Sequence, residues 1–324
     1  MRISALPLCA LPFLAASSAA AEPPALTLSL AHGASKDHVY QFGAERFGEA
    51  LRRETRGRMR LEIFPDGRRG GEGAAGEAVR LGDVDIAVLS AGAMSQWVPL
   101  LEVLDMPYLF RDRAHAYRVL DGEIGGRLNR EVEKAGFVNL AYWEIGEREL
   151  TNDVRPIATP QDIVDLPIRT APNDVDISLL KAWGARPVPV DFKNLYDALA
   201  RDEAAGQENP LTTVKSMRFY ETQRYLSMTA HSHAFALVVM NRERFQALDA
   251  AAQRSLKKAA ALAAGLERAD ARRQESEALS FLRKQGMIVT QPDVRSFQEA
   301  SRAVYGDMIN EVPSYLVDGI RNAK

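Results

Sequence analysis

Cysteine is almost missing from this chain: Cys9 is the single copy, and none follows it. Beyond that point disulfides, thiolate nucleophiles and cysteine-based metal sites are excluded. Long apolar runs are equally scarce. Only Ile3 to Ala16 qualifies, and it falls short of the roughly 20 residues that a membrane-spanning helix needs. Charge of one sign is missing too. Forty-one Lys and Arg face 43 Asp and Glu, a formal net of −2, which gives no basic face of the kind that nucleic acid requires. The chemistry-bearing motifs are absent as well: no G-x-S-x-G elbow, no H-E-x-x-H, no phosphate-cradling P-loop. Nothing in the sequence asks for an enzyme or a cofactor.

The start of the chain is distinctive. Met1-Arg2, the short apolar run and Ala19-Ala20-Ala21 before Glu22 form a secretory signal peptide, with cleavage expected after Ala21. Cys9 follows Leu8 inside that signal, an unconvincing lipoprotein site. The expected product is an exported protein of about 300 residues, enough for two lobes.

Hydrophobic periodicity predicts alternating strands and helices. Strands are expected at Leu26–Leu30, Arg58–Phe64 and Val84–Leu89, with helices from Tyr40 to Leu51 and from Ala74 to Leu81. That alternation signals an α/β lobe with a largely parallel sheet. Helices over Ala114–Leu120 and Ile124–Ala135 and a strand over Val138–Tyr142 follow. Beyond Gly146 come helices at Val175–Trp183 and Asn194–Arg201, an edge-like strand at Val188–Val190, a turn over Gln207–Pro210 and a strand from Thr229 to Met240. Ala251 to Gln285 contains no proline and predicts a helix of some 50 Å at about 1.5 Å per residue; two helices bent at Gly265 are the alternative. Asp293–Glu311 predicts a terminal helix.

Two motifs invite chemistry and are set aside. Gly71-Glu72-Gly73-Ala74-Ala75-Gly76 matches G-x-G-x-x-G, but six residues separate it from the preceding strand. A dinucleotide fingerprint places its first glycine directly after the strand. His231-x-His233 puts two imidazoles on one strand face, yet no third ligand stands at a metal-site spacing.

The informative stretch runs from Gly146 to Pro210. Ile168-Arg169-Thr170 reads as a short buried strand. A buried arginine must find an anion, and its planar fork suits a carboxylate or phosphate. From the residues alone that anion is either a protein Asp or Glu or a ligand. Around it stand Gly146-Glu147-Arg148-Glu149-Leu150-Thr151-Asn152, Arg155-Pro156-Ile157, Leu166-Pro167-Ile168-Arg169, Gly184-Ala185 with Pro187-Val188-Pro189, and Gly206-Gln207-Glu208-Asn209-Pro210. Together these resemble the solute receptors of TRAP (tripartite ATP-independent periplasmic) transporters, the DctP family, over essentially the whole chain after the signal. Asp105-Met106-Pro107-Tyr108-Leu109-Phe110-Arg111 adds to the likeness, with Tyr108 where the family usually has Phe.

The resemblance implies a two-lobed α/β periplasmic binding protein of type II-like architecture, with hinge strands and a long helix spanning both lobes. The first lobe is expected at 22–145 plus about 235–275, the second at 146–234 plus about 276–324. It implies Arg169 as principal carboxylate ligand, Arg148 as its second, Asn209 as an amide donor and Phe192 as an apolar wall. Glu72 matches an acidic position that accepts ligand hydroxyls, and Ser90, His32 and His231 fall where they would line the cleft. Read structurally, Arg148 would instead pair with Glu147 or Glu149, Asn209 would cap a turn and Phe192 would be core. Glu72 and Ser90 suit hydroxyls, so a sugar acid is favoured over a C4-dicarboxylate. Partners implied are a small carboxylate and two TRAP membrane subunits driven by an ion gradient, with the receptor itself a monomer. A sensor feeding a membrane kinase and an exported enzyme are the alternatives. One departure stands out: Ala205-Gly206 precede Gln207 where the family carries an acid and a glycine.

Overall fold

The computed structural model describes residues 26–324; the signal peptide, its cleavage site and Cys9 lie outside the described residues. Ten strands make one mixed sheet: β1 (Leu26–His32), β2 (Met59–Phe64), β3 (Ile86–Ser90), β4 (Phe137–Asn152), β5 (Pro167–Thr170), β6 (Arg186–Pro189), β7 (Gly206–Pro210), β8 (Tyr225–Ser227), β9 (His233–Asn241) and β10 (Ile288–Thr290). Their order is β2-β1-β3-β9-β4-β7-β5-β6, with β8 against β4 and β10. β1 pairs in parallel with β2 and β3, as crossover helices demand. β5 pairs in parallel with β6 and β7 in the same manner.

β4 joins the halves. Its first part lies antiparallel to β9, from Phe137 opposite Asn241 to Glu147 opposite His233. Its last part lies antiparallel to β7 and β8. The molecule is therefore two lobes sharing one 16-residue strand. Register irregularities fall between Asn139 and Ala141 and between Glu144 and Gly146, and such bulges bend a strand locally. Gly146 has φ +132°, a conformation that side chains resist. Beside it Arg113 pairs with Glu144 at 3.1 Å and also with Glu275, tying three elements at the crossover.

The long helix is single. It runs unbroken over Ala250–Lys284, capped by the Asp249 carboxylate accepting the Ala252 N–H at 2.8 Å. A Cβ at Gly265 would meet nothing within 4 Å, so this glycine faces open space and bends nothing. The helix packs along Val39–Glu54 and β4 and reaches Leu211–Ser216 in the second lobe.

Several boundaries differ from expectation. The strand expected at Val138–Tyr142 extends to Asn152, and the Gln207–Pro210 turn is strand β7. Neither has β-favouring composition in its polar part; ladder bonds between the two supply what propensity lacks. The strand expected from Thr229 begins at His233, because Ala230 turns left-handed (φ +44°) and donates its N–H to Glu149 at 2.7 Å. The terminal helix divides into Val294–Ala300 and Arg302–Asp307, and a further helix covers Ser314–Asn322. That last helix packs on Glu123–Lys134, so the final segment touches elements on both sides of the expected lobe division.

Gly43 on the first helix faces the core with no room for a side chain. A Cβ there would stand 2.7 Å from Trp143 and 2.9 Å from Glu267 Cγ. Gly43→Ala is expected to destabilise the fold by about 1–3 kcal/mol through overpacking, read from urea unfolding midpoints. Gly265→Ala should be neutral to stabilising in the same assay, by up to about 1 kcal/mol.

Candidate functional site

Where the lobes face each other they enclose a cavity of roughly 400 Å³. Its walls come from the start of the Val39–Glu54 helix, the Glu72–Leu81 helix, the end of β3 with the Gly92–Gln96 segment after it, the middle of β4, β5, the Asp191–Phe192 segment after β6, and β7 with the helix after it. The size suits a small organic molecule.

Arg169 stands on β5 between β6 and β7 and is 2% exposed. Its Nε and Nη2 both donate to the Val190 carbonyl, at 2.9 and 2.6 Å. Among the described residues no carboxylate pairs with it. Burial pulls its pKa down to about 10, with the nearby Glu208 charge opposing. A buried guanidinium at a cavity wall without a paired anion is an open electrostatic demand.

Arg148 contrasts with it. Its Nε donates to the Glu208 carboxylate and its Nη2 to the Glu208 carbonyl at 2.9 Å. The partner is thus Glu208, neither Glu147 nor Glu149. Burial alone would lower the Arg148 pKa, yet Glu208 holds it above the ordinary arginine range. Burial likewise pushes Glu208 up, but Arg148 and His231 outweigh it and hold the carboxyl at about 2. Thr170 Oγ1 donates to the other Glu208 oxygen at 3.2 Å. Arg148 still reaches the cavity wall, carrying a charge already balanced from behind.

Asn209 and Phe192 also line the cavity. Asn209 Nδ2 donates to Gln207 Oε1 at 2.6 Å, and Gln207 in turn donates to Thr151 Oγ1 at 2.8 Å; this chain fixes the amide toward the site. Phe192 walls the cavity and meets Phe219 edge-on at 6.5 Å, so it serves wall and core at once. From the opposite lobe Glu72 accepts the Ser90 N–H at 2.7 Å and the Ser90 O–H at 2.9 Å. Burial raises the Glu72 pKa against those bonds. Glu72 and Ser90 therefore act as one rigid, acceptor-rich unit.

Two expected cleft residues lie elsewhere. His32 ends β1, where its Nε2 meets Gln41 Oε1 at 3.0 Å; it does not line the cavity. His231 is fully buried behind Glu208, 3.4 Å from its Oε2, with Nδ1 at 2.8 Å from Thr229 Oγ1. It braces the pair and stays off the wall. His233 turns to a different carboxylate, Glu144 at 2.9 Å, so the two imidazoles do not converge. The glycine-rich run also has a packing reason: a Cβ on Gly76 would stand 2.2 Å from Trp97. Ala205, at the departure from the family pattern, has both backbone groups bonded, to Pro167 and Asp153.

Lining residues that the motifs did not reveal include His38, Tyr40, Gln96, Asp191 and Thr213. No spacing marks them, because four separate segments deliver them, with only His38 and Tyr40 on one element.

The pattern of the bacterial extracellular solute-binding proteins, family 7 (DctP), matches residues 30–311. The chain belongs to that family. Among relatives of this solute-binding protein is the 2,3-diketo-L-gulonate-binding periplasmic protein YiaO of Escherichia coli, 32% identical over 89% of each chain. A TRAP periplasmic solute-binding protein from Polaromonas, bound to D-erythronate, superposes with a TM-score of 0.90 at 32% identity, covering 92% of this chain and 99% of its own. Another, from Sulfurospirillum deleyianum with bound succinate, gives 0.89 at 27%, covering 93% and 100%.

The Arg148–Glu208 pair carries a testable sign. Glu208's carboxyl is depressed, so its contribution to stability is complete above about pH 4.5 and is lost as pH falls toward about 2. Glu208→Gln leaves Arg148 buried and unpaired, an expected loss of about 3–5 kcal/mol at pH 7. Urea unfolding from pH 2.5 to 7 checks this. The variant should also show a flatter acid limb than the parent.

Proposed function

We propose that this protein is a periplasmic receptor that closes over one small organic acid and delivers it to a TRAP-type membrane transporter. Support comes above all from Arg169, a buried cation on the cavity wall with no paired carboxylate among the described residues. A ligand carboxylate supplies the missing charge, gripped by the guanidinium. Arg148 and Asn209 add donors to the same end, and Phe192 covers the carbon skeleton. The lobe division proposed is 22–145 plus about 235–275 against 146–234 plus about 276–324, with closure about Gly146.

The distal end of the cavity favours hydroxyls. Arg148 and Arg169 are its only Lys or Arg among the described lining residues, and both come from the carboxylate end. Glu72, Ser90 and Gln96 line the cavity from the opposite lobe, and an acidic acceptor there binds O–H groups and repels a second carboxylate. A sugar acid therefore fits better than a C4-dicarboxylate. The relatives named for 2,3-diketo-L-gulonate and D-erythronate agree with this. The succinate-bound neighbour keeps the dicarboxylate as the second reading.

A thermal-shift screen of the chain from Glu22 onward against 2,3-diketo-L-gulonate, D-erythronate, galactonate, galacturonate and succinate tests the class. A binder at a thousandfold its Kd should stabilise by about 4 kcal/mol. Arg169→Ala should lose about 2–5 kcal/mol of affinity, and Arg169→Lys most of it, since a point charge cannot replace the fork. The ligand-free Arg169→Ala protein should melt no lower than the parent, because an uncompensated charge has been removed. Retained affinity in both variants overturns the role of Arg169, and a shift with succinate alone overturns the sugar-acid reading.

A further inference from the structure

His38 lines the cavity, is 2% exposed, and has two fixed partners. Its Nδ1 accepts the Tyr40 N–H at 3.2 Å, capping the Val39–Glu54 helix. Its Nε2 lies 3.1 Å from Thr213 Oγ1. A ring nitrogen that accepts an N–H carries a lone pair, so the imidazole proton sits on Nε2 and is donated to Thr213. The ring is neutral in this geometry, and a second proton on Nδ1 would confront the Tyr40 N–H directly.

That bond joins the lobes. His38 starts the first helix after β1, whereas Thr213 belongs to the helix that follows β7. Ser35 Oγ donates to the Ser216 carbonyl at 3.1 Å between the same two segments. Facing the ring are the Tyr40 ring, edge-on at 4.5 Å, and His32 from β1; Glu72, Arg148, Arg169 and Asp191 share its cavity. Burial and His32 push the His38 pKa down to about 3.

We infer that His38 is a closure-positioning residue: its neutral ring joins the lobes through Thr213, and a second proton on Nδ1, set against the Tyr40 N–H, displaces the ring that carries this bond and weakens capture of the acid. The inference rests on the receptor reading above. Its sign follows from the two states. In the open form the ring regains water and an ordinary pKa of about 6.5, so closing releases a proton. Affinity from this source is complete above that range and falls by up to about tenfold per pH unit below it. Buried carboxyls elsewhere between the lobes act oppositely: burial raises Glu102 to about 7, Asp176 to about 6, and Asp105 as well. The test is therefore a difference between variant and parent.

Calorimetry with D-erythronate and galactonate, at pH 5.5 and 8 in two buffers of different ionisation heat, counts the protons exchanged on binding. At pH 5.5 the parent should release nearly one proton more than His38→Gln. The ratio of its Kd at pH 5.5 to that at pH 8 should exceed the variant's by about tenfold. Thr213→Val tests the same bond from the other lobe should His38→Gln fail to fold; it should weaken binding several-fold at pH 8. Equal proton counts and equal pH slopes in parent and His38→Gln, or unaltered affinity in Thr213→Val, overturn the inference. If neither acid binds at any pH, the receptor reading fails separately, and closure is read without ligand. The chain from Glu22 has no cysteine, so spin labels on Arg60→Cys and Lys181→Cys, both exposed and in opposite lobes, report the interlobe distance. From pH 8 to 5.5 the closed population should fall in the parent relative to its change in His38→Gln; the same response in both overturns it.

Discussion

Two arginines in one cavity have opposite electrostatic status, and the design depends on that difference. Arg148 is answered by Glu208, which Thr170 and His231 hold from behind. Arg169 is answered only by a carbonyl. A neutral carbonyl satisfies donors but not charge, so the fold retains one buried cation that water or a ligand must serve. Such a site costs stability when empty and returns it when filled.

The lobes divide the remaining recognition by chemistry. Guanidinium and amide donors are set on β4, β5 and β7, whose ladder bonds leave them little freedom. Acceptors face them from Glu72, which Ser90 grips twice. Neither set encloses the cavity alone, so on the proposed function affinity and the closed arrangement are one property.

Much of the site was legible because charge burial is legible. An arginine between isoleucine and threonine in a short strand already poses the question that the cavity answers. Its companions Arg148, Asn209, Phe192, Glu72 and Ser90 come from family likeness and do reach the wall, while the Glu208 partner of Arg148 stands outside both the ligand reading and its alternative of Glu147 or Glu149. What failed was everything set by tertiary approach. His32 and His231 stay off the wall, each held by a buried partner, Gln41 and Glu208. His38 and Thr213 carry no motif, since their meeting depends on two distant segments. Gln207–Pro210 reads as a turn because a polar strand gives no alternation; only its pairing with β4 makes it a strand. The long helix was readable in extent, while its continuity through Gly265 was left open, because a glycine's neighbours decide whether it breaks a helix.

β4 passes from one half of the sheet to the other without interruption, and the Ala250–Lys284 helix runs beside it. Two stiff members crossing the same gap suppress sliding and twisting and leave bending as the soft coordinate. Leverage then separates thermodynamics from kinetics. On the proposed closure about Gly146, groups far from that point travel further than those beside it, so their contacts would govern how long the shut state lasts. Those beside it would barely move, and would govern how fast it is reached.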